Sequence, residues 1–133
     1  MAEKGIDMLR RLLGDDRAIE IRNAWAKLSP DFAHFVTTFI AGEIWSRPYL
    51  DLKTRSLVTV AALTALNRPN ALRLNIEMAL NNGATKEEIL ETLLQMAPYA
   101  GFPACWEALL IADEVLKGSK GSQQSSQSES PHN

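Results

Sequence analysis

Several residues that mark common classes of protein are rare in this sequence. Cys105 is the one cysteine among 133 residues, which excludes an intramolecular disulfide, a CxxC redox pair and a zinc site built on thiolates. No segment approaches the run of about 18 uncharged apolar residues that a membrane-spanning helix needs. Charges also interrupt the N-terminal region, where a signal peptide has its apolar core. We therefore expect a cytoplasmic protein with no membrane contact.

Net charge and histidine are also scarce. A formal net charge of −2 gives no basic surface for a phosphate backbone, so nucleic-acid binding is disfavoured. His34 is the only histidine before the C-terminal tail, and it has no second histidine on its helix face with which to bind a metal. The chain also lacks a Gly-rich phosphate loop and a GxSxG elbow. We predict that the protein uses neither a metal ion nor a cofactor.

The polar C-terminal segment differs from the rest of the chain. Residues 119–133 contain no aliphatic or aromatic side chain, so they cannot bury enough apolar surface to offset the entropy of ordering. We predict that this tail is disordered. Residues 1–118 are then one domain, large enough to bury about two thirds of its unfolded surface.

Helical periodicity runs through residues 1–118, and no segment is convincing as a strand, so we predict an all-α fold of six or seven helices. The first helix ends at Gly14, and Asp15 or Asp16 caps the second. Ser29 and Pro30 then supply an N-cap and a proline at the first helical position. The third helix, Asp31 to about Ile44, is apolar on most sides and is predicted to be buried.

The later helices are separated by residues that cap or break helices. The fourth helix is predicted from Leu52 to about Leu66 with Asp51 as its N-cap, and the fifth ends at Asn82 with Asn70 as its N-cap. The sixth has Thr85 as its N-cap and ends near Tyr99, and the last extends from Pro103 to Leu116 and is closed by Gly118. Thr85 and Glu88 have the spacing of a capping box.

Polar residues concentrate where the third and fourth helices meet. Two guanidiniums, Arg47 and Arg55, near the ring of Trp45 could bind a dicarboxylate while the ring covers its apolar part. Glu43 could hold one arginine in place or move a proton. The alternative, which spacing alone favours, is that the arginines form ordinary salt bridges with Glu43 and Asp51 and that Trp45 belongs to the core. A binding site would require both arginines to share a cavity.

Three further side chains could carry chemistry. Asn75 lies at the border of the apolar face of the fifth helix, where its amide must find hydrogen bonds from neighbours or from a ligand. Cys105 has no base nearby in sequence, so a small packed side chain is favoured over a nucleophile. His34 lies between Phe32 and Phe35, which favours a core or interface histidine over a catalytic one.

Four motifs make the chain similar to one known family. They are GEIWSRP at 42–48, TRSL at 54–57, NNGATKEEI at 81–89 and YAGFPA at 99–104. In this order and at these spacings they resemble the γ-carboxymuconolactone decarboxylase family. The resemblance covers roughly half of the chain and extends through it without apparent gaps.

The resemblance implies the alkylhydroperoxidase D-like helical architecture, assembled as homotrimers or homohexamers with active sites near subunit contacts. It also implies conversion of γ-carboxymuconolactone to β-ketoadipate enol-lactone and CO2 in the protocatechuate pathway, without a cofactor. In that activity Arg47 and Arg55 would anchor carboxylates or the lactone oxygen, and Trp45 would wall the pocket. Glu43 would orient an arginine or transfer the proton.

This chain departs from the family at one helix. The peroxidase branch carries CxxCxxxH where this chain has Arg68, Ala71 and Asn75, so peroxide chemistry is excluded. The decarboxylases are similar to that branch in having a histidine at the position of Asn75. Asparagine cannot titrate, although it can donate a hydrogen bond to a carbonyl or enolate oxygen.

Two other functions therefore compete with decarboxylation. One is a cis–trans isomerase or a lactone- or ester-handling enzyme acting on a related unsaturated dicarboxylate. The other is a non-catalytic helical oligomer that keeps the scaffold alone.

Overall fold

The computed structural model describes the backbone of residues 2–126 and the side chains of residues 3–118. Within this part of the chain every regular element is helical, which confirms the predicted all-α fold. In chain order the elements are α1 (Ala2–Leu13), α2 (Asp15–Leu28), α3 (Pro30–Phe35), a π-helix (Val36–Ile44), α4 (Leu52–Ala65), α5 (Pro69–Asn81), α6 (Lys86–Gln95), α7 (Ala97–Ala100) and α8 (Phe102–Ser126).

Three predicted helix starts are confirmed, each with its capping bond. The Ser29 hydroxyl accepts the Phe32 N–H at 3.1 Å, with Pro30 as the first helical residue. An Asp51 carboxylate oxygen accepts the Thr54 N–H at 2.7 Å. Thr85 and Glu88 form both bonds of the capping box. Each cap satisfies a backbone donor that the first turn of a helix would otherwise leave unpaired.

Two predicted caps are wrong. The N-cap of α2 is Gly14 rather than an aspartate, because a glycine tolerates the backbone angle φ of 85° that the chain adopts there. Helix α2 therefore begins at Asp15. The N-cap of α5 is Arg68 rather than Asn70, because the fixed φ of Pro69 suits the first helical position.

Two predicted helix ends also differ. The sixth helix stops at Gln95, since Pro98 has no N–H to continue the hydrogen-bond ladder, and α7 follows as a single turn. Helix α8 continues past Gly118 to Ser126, because one glycine inside a helix costs only about 1 kcal/mol. The backbone of residues 119–126 is therefore helical, and the predicted start of the disordered tail at residue 119 is wrong. Residues 127–133 lie outside the described residues, so their disorder stays a prediction.

The predicted third helix changes its winding midway. It is α-helical to Phe35 and then π-helical, with the Trp45 N–H donating to the Ile40 carbonyl, five residues back, at 2.8 Å. The prediction that this helix is buried is wrong for a single chain, because Phe35 is 64% and Phe39 52% exposed. Its apolar surface extends further around the helix than the other helices of the chain can cover.

Two apolar clusters form the core, and α5 contributes to both. Helices α4, α5, α6 and α8 enclose one, which contains Val60, Leu72, Ile76, Ile89 and Leu93. Helix α1, the π-helix and α5 enclose the other, which contains Leu9, Leu12, Ala41, Trp45 and Met78. Among the described residues, no helix has the length and apolar composition needed to cross a membrane.

Helix α1 lies directly on the π-helix at Gly5. A Cβ atom at this position would collide with the carbonyl oxygen of Thr37 and lie 2.8 Å from its carbonyl carbon. Because those atoms belong to the backbone, no side-chain rotation can relieve the collision. Only glycine allows this close approach.

We expect Gly5→Ala to lower the free energy of unfolding by about 1–3 kcal/mol, the usual effect of overpacking a core. Urea denaturation measures the change. Gly118→Ala is the matched control, because a Cβ atom there meets nothing within 4 Å and alanine is the better helix former. Equal stability of the two variants would contradict the close contact.

Candidate functional site

A cavity of about 400 Å³ opens between α1, the helix formed by α3 and the π-helix, α4 and α5. Its lining is mostly aliphatic and aromatic, and the polar side chains in it are uncharged. They are Thr59, Asn70 and Asn75, together with the indoles of Trp25 and Trp45. A cavity of this size with few convergent polar groups is typical of a small-molecule site.

Trp45 belongs both to the core and to the wall of this cavity. The side chain is 7% exposed and packs in the α1 cluster. Ile40 and Ala41 of the π-helix and Trp45, the residue that caps its C-terminal end, all line the cavity. The two interpretations of Trp45 are therefore compatible, since it packs in the core and also walls the cavity.

Asn75, predicted at the border of the apolar face of its helix, is among the residues that line the cavity. Its Nδ2 atom donates to the Ala71 carbonyl oxygen, four residues back, at 2.8 Å. The amide oxygen and the second N–H are left for other partners. A neighbour thus satisfies one of its hydrogen bonds, and the remaining groups can meet a ligand.

Sequence reasoning missed Thr59 and Asn70. The Thr59 hydroxyl donates to the Arg55 carbonyl oxygen at 2.8 Å, so toward the cavity it can only accept. The amide oxygen of Asn70 accepts a long bond of 3.4 Å from Arg73, which leaves its NH2 group as a donor. One signal was available for Thr59, because it follows Arg55 by four residues and so lies on the same helix face.

Arg55 does not line the cavity but lies on α4 one helical turn before Thr59. Thr59 and Leu63 line the cavity from the next two turns of the same face of α4. The Arg55 Nη2 atom donates to the carbonyl oxygens of Arg47 at 3.0 Å and Leu50 at 3.4 Å, so it braces the turn that follows Trp45. Its Nε atom is closed off from solvent and has no hydrogen-bond partner within the described part of the chain.

Glu43 and Arg47 do not line the cavity. Both are exposed, and the Arg47 guanidinium lies 5.6 Å from the centre of the Tyr49 ring. Across residues 3–118, neither Arg47 nor Arg55 forms an ion pair with Glu43 or Asp51, so the predicted salt bridges are wrong. The shared cavity expected for the two arginines is not formed within one chain. Their contact with substrate stays a prediction.

The other candidates lie apart from the cavity. Cys105 is buried, as expected of a packed side chain. His34 is exposed, with its ring 5.5 Å from that of Phe35, so the core position is wrong and the interface position stays a prediction. The Asp51 carboxyl has a lowered pKa because the Thr54 N–H donates to its ionised form. Over the described residues, no three His, Cys, Asp or Glu side chains cluster as metal ligands.

Comparison with known proteins assigns the family. Residues 30–114 match the carboxymuconolactone decarboxylase family. The chain belongs to this family. It is 41% identical over 118 residues to a 4-carboxymuconolactone decarboxylase of Acinetobacter baylyi, covering 86% of each chain. The resemblance seen in the four motifs is thereby confirmed.

Two other relatives cover a similar span. A nitrosuccinic acid decarboxylase of Metarhizium robertsii is 33% identical over 115 residues, covering 86% of this chain and 80% of the relative. An uncharacterised 15.0 kDa protein of Paracoccus denitrificans is 38% identical over 118 residues, covering 86% and 87%. Family members thus include decarboxylases named for different carboxylic acids.

The cavity coincides with the helix on which this chain departs from its family. Ala71 and Asn75 line it, at the positions where the peroxidase branch carries its second cysteine and its histidine. At these two positions the cavity wall of this chain has a methyl group and an amide.

Substituting each arginine by lysine separates their structural roles. Lysine keeps the charge but lacks the planar fork of donors. We expect Arg55→Lys to lower the free energy of unfolding by roughly 1.5 kcal/mol or more, because its bonds to two carbonyl oxygens are weakened. Arg47→Lys should change stability by less than about 0.5 kcal/mol. Chemical denaturation followed by circular dichroism measures both, and equal effects would contradict the bracing role of Arg55.

Proposed function

We propose that this protein is a cofactor-independent decarboxylase of a γ-carboxymuconolactone-type lactone. The observation that carries the proposal is the apolar cavity lined by Trp45, Thr59, Asn70 and Asn75 in a member of the carboxymuconolactone decarboxylase family. The relatives named as decarboxylases support the reaction type. The lactone itself belongs to the proposal.

An apolar cavity suits the loss of CO2. The bond between the ring carbon and the carboxylate breaks, and its electron pair moves into the unsaturated lactone carbonyl, giving a dienolate. A proton then adds to carbon. Because the localised charge of the carboxylate becomes spread over the dienolate, a poorly hydrated site disfavours the starting carboxylate more than the transition state. No electron sink is needed beyond the substrate.

The uncharged donors of the wall would stabilise the dienolate oxygen. The free N–H groups of Asn70 and Asn75 lie on α5 at the cavity, and donors aimed at developing charge are among the largest contributions to catalysis. Arg55 lies on α4 one helical turn before Thr59. On this proposal its guanidinium would bind a second carboxylate of the substrate.

On this proposal, water delivers the proton to the carbon of the dienolate. None of the side chains that line the cavity titrates near neutral pH, and Glu43 lies outside it. The same observation favours a second candidate, the cis–trans isomerisation of a related unsaturated dicarboxylate. That reaction also needs a stabilised dienolate but releases no CO2.

The purified protein should release CO2 from γ-carboxymuconolactone. The value of kcat should be nearly constant between about pH 6 and 9, because the wall holds no titrating acid. Asn75→Leu should lower kcat by about 100-fold through loss of a donor to the dienolate. Asn23→Leu, an exposed position on α2, is the matched control.

Other products would decide against decarboxylation. Interconversion of isomeric muconate-type dienes without CO2 would select the isomerase. Inertness toward both substrate types would select the non-catalytic oligomer. Full activity of Asn75→Leu would remove the amide from the mechanism.

We also propose that the protein works as a homo-oligomer, with a trimer or hexamer implied by its family. Two groups of aromatic side chains support this: Phe35 and Phe39 on one helix, and Tyr99, Phe102 and Trp106 around the start of α8, where Tyr99 is 77% and Trp106 66% exposed. Large contiguous apolar patches are uncommon on monomers and mark contact surfaces.

Sedimentation equilibrium should find a trimer or hexamer of the wild-type chain. Phe39→Asp and Trp106→Asp should each shift the protein to smaller species, because each buries a charge in an apolar contact. Asn23→Asp adds the same charge at an exposed polar position and should leave the mass unchanged. A monomeric wild-type protein at micromolar concentration would disprove the assembly.

A further inference from the structure

A second, smaller pocket is also lined by the helix formed by α3 and the π-helix, but by residues of that helix other than those that line the larger cavity. Its volume is about 220 Å³, and α1 and α2 supply the rest of its wall. It shares none of its lining residues with the larger cavity. Its polar side chains are Arg22, His34, Thr37 and Thr38, and no carboxylate lines it.

Thr37 carries the most informative atom of this pocket. Thr59, Thr64 and Thr92 each donate their hydroxyl to the carbonyl oxygen four residues back at 2.8 Å. The Thr37 hydroxyl oxygen is buried and makes no such bond, nor any other to the described residues. The winding changes from α to π just before this residue, and the Val36 N–H there donates to both the Ala33 and the Phe32 carbonyl oxygens. A buried hydroxyl without a partner is costly, and a ligand oxygen would relieve it.

The charge at this pocket is positive and uncompensated. Arg22 on α2 has no carboxylate within ion-pair distance in the part of the chain that the structure describes, whereas Arg17, earlier on the same helix, pairs with both Glu20 and Glu77. An imidazole N–H of His34 adds a second donor in any protonation state. The pocket thus has one permanent positive charge and several donors.

The opposite side of the pocket is apolar. Ile6, Ala26, Pro30 and Ala33 form it. A ligand that matches both sides has one negative charge at one end and a short hydrocarbon body at the other. Inorganic phosphate lacks that body and carries more charge at neutral pH than one arginine balances.

We propose that this pocket binds a small aliphatic monocarboxylate. The carboxylate accepts hydrogen bonds from the Arg22 guanidinium, from His34 and from the Thr37 hydroxyl, and the hydrocarbon body contacts Ile6 and Pro30. The inference is independent of the proposed decarboxylation, because it uses neither the larger cavity nor Arg55.

Propionate is a suitable probe, observed by the NMR line broadening of its methyl signal on adding the full-length protein. We expect a dissociation constant on the order of 1 mM, because the arginine is exposed and such ion pairs are weak. Arg22→Gln should weaken binding at least tenfold. Asn75→Leu, which alters only the larger cavity, should leave it unchanged.

Thr37→Val gives a second, independent measurement. It replaces the hydroxyl by a methyl group of similar size, so the unliganded protein should be as stable as the wild type or more stable, because an unpaired buried hydroxyl is removed. Propionate affinity should nevertheless fall several-fold. Loss of affinity together with loss of stability would contradict the role of this hydroxyl as a free ligand-binding group.

Two further probes test the chemical class. Propionamide has the same shape without the charge and should not bind, and inorganic phosphate should bind more weakly than propionate. Equal binding of propionamide, tighter binding of phosphate, or propionate affinity that survives Arg22→Gln would each overturn the proposal.

Discussion

The contact of α1 with the π-helix is the constraint on which the rest of the molecule depends. Gly5 faces the Thr37 backbone with no room for a side chain, and Gly42 lies against Gly5 on the same surface. This approach places the leucines of α1 beside Trp45 and closes one side of the cavity. The π winding places Thr37 in this contact while turning Ile40 and Trp45 toward the cavity.

Among residues 3–118, no charged side chain lines the cavity, whereas charged side chains stabilise the turn and the helix next to it. Arg55 braces the turn after Trp45, and Asp51 caps the helix that carries Arg55. A carboxylated ligand in such a wall would have a poorly compensated charge, which is the condition that favours loss of CO2. On the proposed mechanism, Arg55 would hold a second carboxylate without stabilising the one that leaves.

Local sequence predicts much of this fold correctly. Because a cap depends on residues three positions apart, the caps at Ser29 and Asp51 and the capping box from Thr85 to Glu88 could all be predicted from the sequence. Errors arose where two local preferences competed. Helix α5 begins at Pro69, one residue before the predicted N-cap Asn70. Helix α8 continues through Gly118, although glycine disfavours a helix.

The sequence alone determined the family and the all-α class, and it singled out Trp45 and Asn75 as candidates, because motifs and apolar periodicity are local properties of a chain. Only the tertiary structure decided where the arginines point and that Thr59 and Asn70 join the wall. It also decided that the third helix turns π-helical. These features depend on how helices distant in sequence approach one another, and that approach is set at Gly5 by atoms 32 residues apart in the chain.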